Sequence, residues 1–426
     1  MVAQGQDPAK FLGDLRSQVT SLDANKQYDE AQAIRKIIVR DYPQFHAVAA
    51  RTQYEIARYY EQRGQTEDAI REYRILGDDY PKDEIAAEGL WKVAVYDLSK
   101  RRKDDAKQSI QKILDRFPNI SVRSQIKLMK DKELAVEMRR VLISLLPNSP
   151  GECASLQREN AESYKNRGLL EKAVKEYKVL AEEYASHPTT PEALFMEAFC
   201  GIQIRKLSRA GACLKRLIEE YPDWGYIEEA VKQNIEAIAW SSPREGIEYC
   251  KSIANDSKWS DGLRAYALMM AGRIEADRGR TDEALRYFDT CISWYPEDSI
   301  LSKYFKCRVQ ISKGDLDGAE ATQQGMAAGN PWTLMALGHI QSVKCKGYEA
   351  RWTFGNAVNA AVKAKATEAE GMSLLYGYYE ELKHGVSWGV ADAKRELVRK
   401  APIIARKFIF QLEEEFEAYV KSLEPK

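Results

Sequence analysis

The chain is short of the residues that metal and acid–base chemistry rely on. Histidine occurs four times in 426 residues, at His46, His187, His339 and His384. These positions are far apart in sequence, which argues against a shared metal. There is no GxSxG, no GxGxxG after a strand, no GxxxxGKS/T and no HExxH. Strand-like alternation of apolar and polar residues is missing as well, so the scaffolds that carry those motifs are not on offer. Carboxylate clusters such as Glu182-Glu183 and Glu413-Glu414-Glu415 read as solvated helix faces in a chain that is 30% charged. The expectation is a non-enzymatic protein with no catalytic residues, no metal and no cofactor.

Other absences bound the setting. No run of about 18 apolar residues exists, so no membrane-inserted helix is expected. The start, MVAQGQDPAKF, lacks the basic segment and apolar core of a secretory leader. A soluble chain is expected, cytoplasmic by default and periplasmic if a leader was trimmed from it. Charge of either sign is not in excess: 64 Lys and Arg balance 64 Asp and Glu. That disfavours nucleic acid as a partner, and general attraction to anionic lipid. The seven cysteines are scattered without a CxxC and read as small buried residues in a reducing compartment. For Cys200 and Cys213, in facing helices of one unit, close packing of two thiols is favoured over a disulfide.

What is present is helical periodicity with a repeat. The stretch Ser260 to Pro296 reads as two helices back to back. Leu268, Ala271, Gly272 and Glu275 fall at i, i+3, i+4 and i+7, on one face with small residues at its centre. Gly279 breaks the helix and Thr281 is expected to cap the next one, with Asp282 and Glu283 at the favourable end of its dipole. Ala284, Phe288 and Cys291 form the stripe of that second helix. Trp294 and Tyr295 are expected to anchor its end, and Pro296 stops it. Gly272 and Ala284 let the two helices approach closely, with Phe288 filling the space beside them. A single hairpin of this kind cannot bury its own apolar face and needs neighbours.

The helix-ending aromatic–Pro pair returns at Tyr42-Pro43, Tyr80-Pro81, Phe117-Pro118, Tyr221-Pro222 and Tyr295-Pro296. The first three are 38 and 37 residues apart and the last two are 74 apart, twice 37. Residues 50–81 form a strong copy, with Ala57, Tyr60, Gly64, Ala69 and Tyr73 at the repeating positions and Thr66 as its cap. The copy at 87–118 replaces the turn glycine by Lys100-Arg101-Arg102-Lys103. Residues 119–150 are helical by pattern without the small-residue signature, and Pro147 and Pro150 are expected to end them. The rhythm then returns, and residues 332–363 repeat it with Leu334, Gly338, Ala350, Phe354 and Ala357. Thr367 to Lys383, Ser387 to Lys400 and Pro402 to about Leu423 read as closing helices.

This set of positions resembles the tetratricopeptide repeat, over roughly residues 11–118 and 151–363. The resemblance implies an all-α fold of helix-turn-helix repeats stacked in a right-handed superhelical solenoid. Its expected division is 1–118 as a first array, 119–150 as a connector, 151–363 as a second array and 364–426 as a helical cap. The DYP and EYP endings look most like bacterial envelope proteins of this family, including outer-membrane assembly lipoproteins. One departure is that the first cysteine is Cys153, so no lipid anchor is carried over.

In such a solenoid the first helix of each repeat lines the concave surface. Registering the repeats on their small residues places Tyr54, Arg58, Trp91, Arg158, Phe195, Phe199, Met269, Arg273, Trp332, Met335 and His339 on it. Aromatic residues with Arg are the types that dominate binding hot spots. The expected function is a scaffold that holds another protein, as an extended peptide or a partner helix, in its groove. Family members that grip a chaperone tail use Lys and Asn at inward positions. Tyr54, Arg58, Arg158 and Glu162 stand here instead, so that clamp is not matched. Two alternatives are a structural protein that self-associates into a homo-oligomer and an envelope protein that stacks glycans or small molecules on Trp91 and Trp332.

Overall fold

A computed structural model describes residues 7–344, 346–384 and 387–401, with side chains described for all of these except 381–391. The expected last helix from Pro402, the Glu413–Glu415 cluster and Cys345 lie outside the described residues. Among the described residues there are 22 α-helices and no strand. They form two compact units, Met1–Ile204 and Arg205–Lys426. The division falls between Cys200 and Cys213, which the sequence places in facing helices of one repeat, and each unit is described by itself.

In the first unit, α1 (Pro8–Ala24) pairs with α2 (Tyr28–Asp41), and α3 (His46–Gln62) with α4 (Thr66–Asp79). Then α5 (Ile85–Ser99) pairs with α6 (Lys103–Arg116), and α7 (Val122–Leu128) with α8 (Lys132–Leu145). α9 (Pro150–Asn166) pairs with α10 (Leu170–Glu183), on which α11 (Thr190–Gln203) packs. The second unit begins with α12 (Leu207–Glu220), α13 (Ile227–Ser241) and α14 (Pro243–Asn255). It continues as three hairpins: α15 (Asp261–Asp277) with α16 (Thr281–Trp294), α17 (Ile300–Ser312) with α18 (Leu316–Gln324), and α19 (Pro331–Val343) with α20 (Gly347–Ala364). α21 (Thr367–His384) and α22 (Ser387–Lys400) close it. In the second unit each odd-numbered helix from α13 to α19 also touches the next odd-numbered one, and in the first unit α3 touches α5 in the same way. The odd-numbered helices of the second unit therefore form a layer of their own, and that layer lines the larger of the cavities described below.

The close approach inside a hairpin is made where a side chain is missing. A β-carbon on Gly272 would lie 2.5 Å from the ring of Phe288, and one on Gly338 would lie 2.7 Å from that of Phe354. Both rings are buried. The turn that follows is equally economical. Gly279 takes φ 76°, its N–H donates to the Ala276 carbonyl, and the Arg280 N–H reaches back to Glu275. In the α5–α6 turn the same backbone is adopted by Arg101 at φ 62°, where any β-carbon is strained.

Several local expectations are corrected. Thr281 and Thr66 do not cap: each is the first residue of its helix, preceded by Arg280 and Gln65, which make no side-chain cap bond. The tight turn places the threonine one position too late to accept from the second or third helical N–H. The acidic pairs Asp282–Glu283 and Glu67–Asp68 do occupy the first turns. Trp294 does not anchor α16; it is 57% exposed, and Tyr295 alone turns inward, beneath the Arg264 guanidinium. Pro150 does not end a helix but starts α9, where its missing N–H costs nothing.

Residues 119–150 form α7 and α8, capped by the side chains of Ser121 and Asp131. Val122, Ile126, Met138 and Leu142 enter the same core as Ala49, Ile110 and Leu156. Arg123 and Arg139 both bind Glu159 on α9, at 2.6 and 3.0 Å.

Two substitutions test this reading of the hairpin. Gly272→Val forces a β-carbon into the Phe288 ring and should cost about 1–3 kcal/mol in urea unfolding. Arg101→Gly removes left-handed strain without touching a neighbour and should gain about 1 kcal/mol in the same assay.

Candidate functional site

Among the first unit's expected contact residues, Tyr54 and Arg58 share α3. Tyr54 is buried against Tyr73, with ring centroids 5.9 Å apart, and its hydroxyl donates to Glu88 on α5. Burial, aided by that carboxylate, pushes the Tyr54 phenol up to about 12. The exposed Arg58 guanidinium lies 6.0 Å from the Tyr54 ring. Trp91, half-buried, lines a cavity of about 660 Å³ with Glu84, Glu88, Lys92 and Gln125. Arg158 bridges Glu162 and Glu192 at 3.2 Å each. Phe195 and Phe199 are half-buried on α11, beside the fully packed Leu194 and Ala198.

The second unit concentrates more. A cavity of about 870 Å³ is lined by α13, α15, α17, α19 and α21, the odd-numbered layer, with a few contributions from α16 and α20. Three expected residues meet there: Arg273, Trp332 and His339. Trp332 packs on Tyr304 with centroids 5.1 Å apart. His339 holds its Nε2 3.1 Å from the Tyr304 hydroxyl and its ring 4.2 Å from that of Tyr376. Arg273 lies 5.4 Å from the Phe305 ring. Tyr304 is fully buried, and loss of water pushes its phenol well above the ordinary value, so it stays protonated.

Met269 and Met335 are not in this concavity. They are 4% and 0% exposed and packed into the core, Met335 beside Tyr304 and Cys307. α15 has buried residues almost all round, from Leu263 to Glu275, so its apolar spacing does not separate a packing face from a lining face.

Sequence reasoning did not reach Tyr304, Phe305, Arg308 or Tyr376, all of which line the cavity. A signal for Arg308 exists: it follows Arg273 by 35 residues, and Gly314 follows Gly279 by the same 35, so the two arginines hold one repeat position. Tyr376 lies in the closing helices, outside the repeats read from the sequence.

The chemistry on offer is recognition by rings and cations. Among the described residues no group of three or more His, Cys, Asp or Glu is placed to hold a metal ion. No helix there is long and apolar enough to cross a membrane. Burial pushes the thiols of Cys250 and Cys307 up to about 12, far from a reactive thiolate at neutral pH.

The hairpin geometry defines a class, the helical-repeat proteins built from stacked helix-turn-helix units. Residues 51–83 and 266–298, which span most of the hairpins α3–α4 and α15–α16, match the tetratricopeptide repeat family. Each unit thus contains one stretch that matches a tetratricopeptide repeat. Among solved structures it is similar to a tetratricopeptide repeat protein from Parabacteroides merdae ATCC 43184, at 15% identity and TM-score 0.36, over 68% of this chain and 98% of that one. It is similar also to yeast Tom70, at 14% identity and TM-score 0.36, over 98% of this chain and 97% of that one. A third is PilW, a widely conserved type IV pilus biogenesis factor, at 13% identity and TM-score 0.34, over 52% and 98%. No curated protein matches the chain significantly.

The buried thiols give a direct check. In the native protein, Cys250 and Cys307 should resist iodoacetamide at pH 8 and label only once the chain is unfolded, as read by peptide mass spectrometry.

Proposed function

We propose that this protein is a non-enzymatic scaffold that binds an extended peptide or a partner helix in the concavity of its second unit, lined chiefly by α13, α15, α17, α19 and α21. The observation that carries the reading is the lining: Phe305, Trp332, Tyr376, Arg273 and Arg308 gathered round one cavity of about 870 Å³. These residue types bury large area at low entropic cost and supply directional cations, the composition of interface hot spots. The first unit's Trp91 cavity, with Tyr54 and Arg58 on the neighbouring α3, would serve as a secondary contact region. Phe195 and Phe199 are retained as contact candidates on α11. The buried, high-pKa cysteines suit a reducing compartment, which favours the cytoplasm.

The test is an affinity capture from native lysate followed by quantitative rebinding of the purified partner. Trp332→Ala should weaken that partner roughly tenfold or more, with helix content and unfolding midpoint near those of the parent. A folded variant that binds as tightly as the parent overturns the assignment of the site.

A further inference from the structure

Arg273 and Arg308 stand apart from the arginines around them. Arg264, Arg278 and Arg280 each have a carboxylate within ion-pair distance, Asp261 for the first and Glu275 for the other two. Neither Arg273 nor Arg308 comes within that distance of a carboxylate among the described residues. Each instead sets its guanidinium by an aromatic ring, Arg273 at 5.4 Å from Phe305 and Arg308 at 5.4 Å from Tyr376. They occupy one repeat position on α15 and α17, and both line the same cavity. Arg308 is open to solvent within it. Two cations presented on ring faces, with no carboxylate at ion-pair distance, are a receptor for an anion.

The rest of the lining restricts which anion. Glu236, Asp277, Glu368 and Glu380 border the cavity too. Glu236 accepts from the Tyr266 hydroxyl at 3.0 Å and Glu380 from the Ser342 hydroxyl at 2.5 Å, so both are drawn onto neighbouring helices. Four carboxylates around two arginines repel a polyanion, while one carboxylate can approach the guanidinium pair. Around the arginines the walls are aromatic: Tyr304, Phe305, Trp332 and Tyr376. The space is within the roughly 300–1,000 Å³ that encloses a small ligand, room for an acidic and an aromatic side chain together.

We propose that this concavity recognises an acidic side chain set beside an aromatic one in an extended segment of a partner protein. Arg273 and Arg308 take the carboxylate, and the rings around them take the aromatic group. The inference rests on the binding reading above and adds the chemical class of the partner segment. A neutral amide in place of the acid leaves the cations without a counter-charge, so discrimination between the two is the property to measure.

The experiment uses the full chain and fluorescence anisotropy. The probe is a fluorescein-labelled, C-terminally amidated peptide carrying two Glu-Phe pairs in a Gly-Ser background. Its twin carries Gln-Phe pairs. The Glu peptide should bind roughly tenfold tighter than the Gln peptide, a preference that shrinks with added salt. Arg308→Met should bring the Glu peptide to the level of the Gln peptide, in a variant whose helix content by circular dichroism matches the parent's. Arg308→Lys should keep part of the preference. Equal binding of the two peptides, weakened by Trp332→Ala, overturns the acidic specificity while leaving the binding site standing. Binding of neither peptide also overturns it, and leaves the captured partner to judge the site. A peptide with a free C-terminus that binds tenfold tighter than its amidated form would show that a terminal carboxylate is held instead of a side chain, and overturns the assignment.

Discussion

Where α15 crosses α16, the ring of Phe288 lies so close to Gly272 that a β-carbon there would sit 2.5 Å from it. Gly338 and Phe354 repeat the arrangement in α19 and α20. Elsewhere alanines serve, as Ala57 and Ala69 do with Tyr73. A hairpin closed this tightly is thin. Its apolar side chains point outward to either side more than between its own helices, so each hairpin is stable only when a neighbour covers it. The continuous core of the first unit, from Ala49 to Leu156, is the result. Stacking of this kind also sorts the helices of the second unit, leaving α13, α15, α17, α19 and α21 side by side in one layer.

The turn sets the register that makes this layer useful. Gly64, Gly168, Gly279 and Gly314 all take φ between 71° and 79° within the hairpin turn, and Arg101 adopts the same backbone at φ 62°. A turn of constant shape holds a residue near the end of one odd-numbered helix in the same attitude as its equivalent in the next. Arg273 and Arg308 are related in this way, and so the second unit presents two guanidiniums to one cavity. A binding surface in such an array is a column of equivalent positions and not a local motif.

Where sequence reasoning went astray, the cause was a position decided by packing between hairpins. The threonines at 66 and 281 looked like caps because residue type and spacing suited one, but the tight turn makes each the first helical residue, one position too late to cap. Trp294 looked like an anchor by size, although its neighbour Tyr295 is the one rotated inward. Met269 and Met335 looked like lining residues, yet they pack into the core because a first helix meets partners on several sides. Arg273, Trp332 and His339, which lie off the small-residue stripe, do line the cavity.

Helix content, the hairpin unit and its recurrence were determined by the sequence alone. They depend on contacts between residues a few positions apart: small residue against ring, glycine at the turn, proline after the last aromatic. Such contacts recur with the pattern and can be read from any one copy. The gathering of Tyr304, Arg308, Trp332, His339 and Tyr376 around one space was decided only in the tertiary structure. That outcome depends on how much each hairpin rotates against the next, which loop lengths and side-chain volumes settle jointly over residues more than 30 positions apart. No window of sequence contains that rotation.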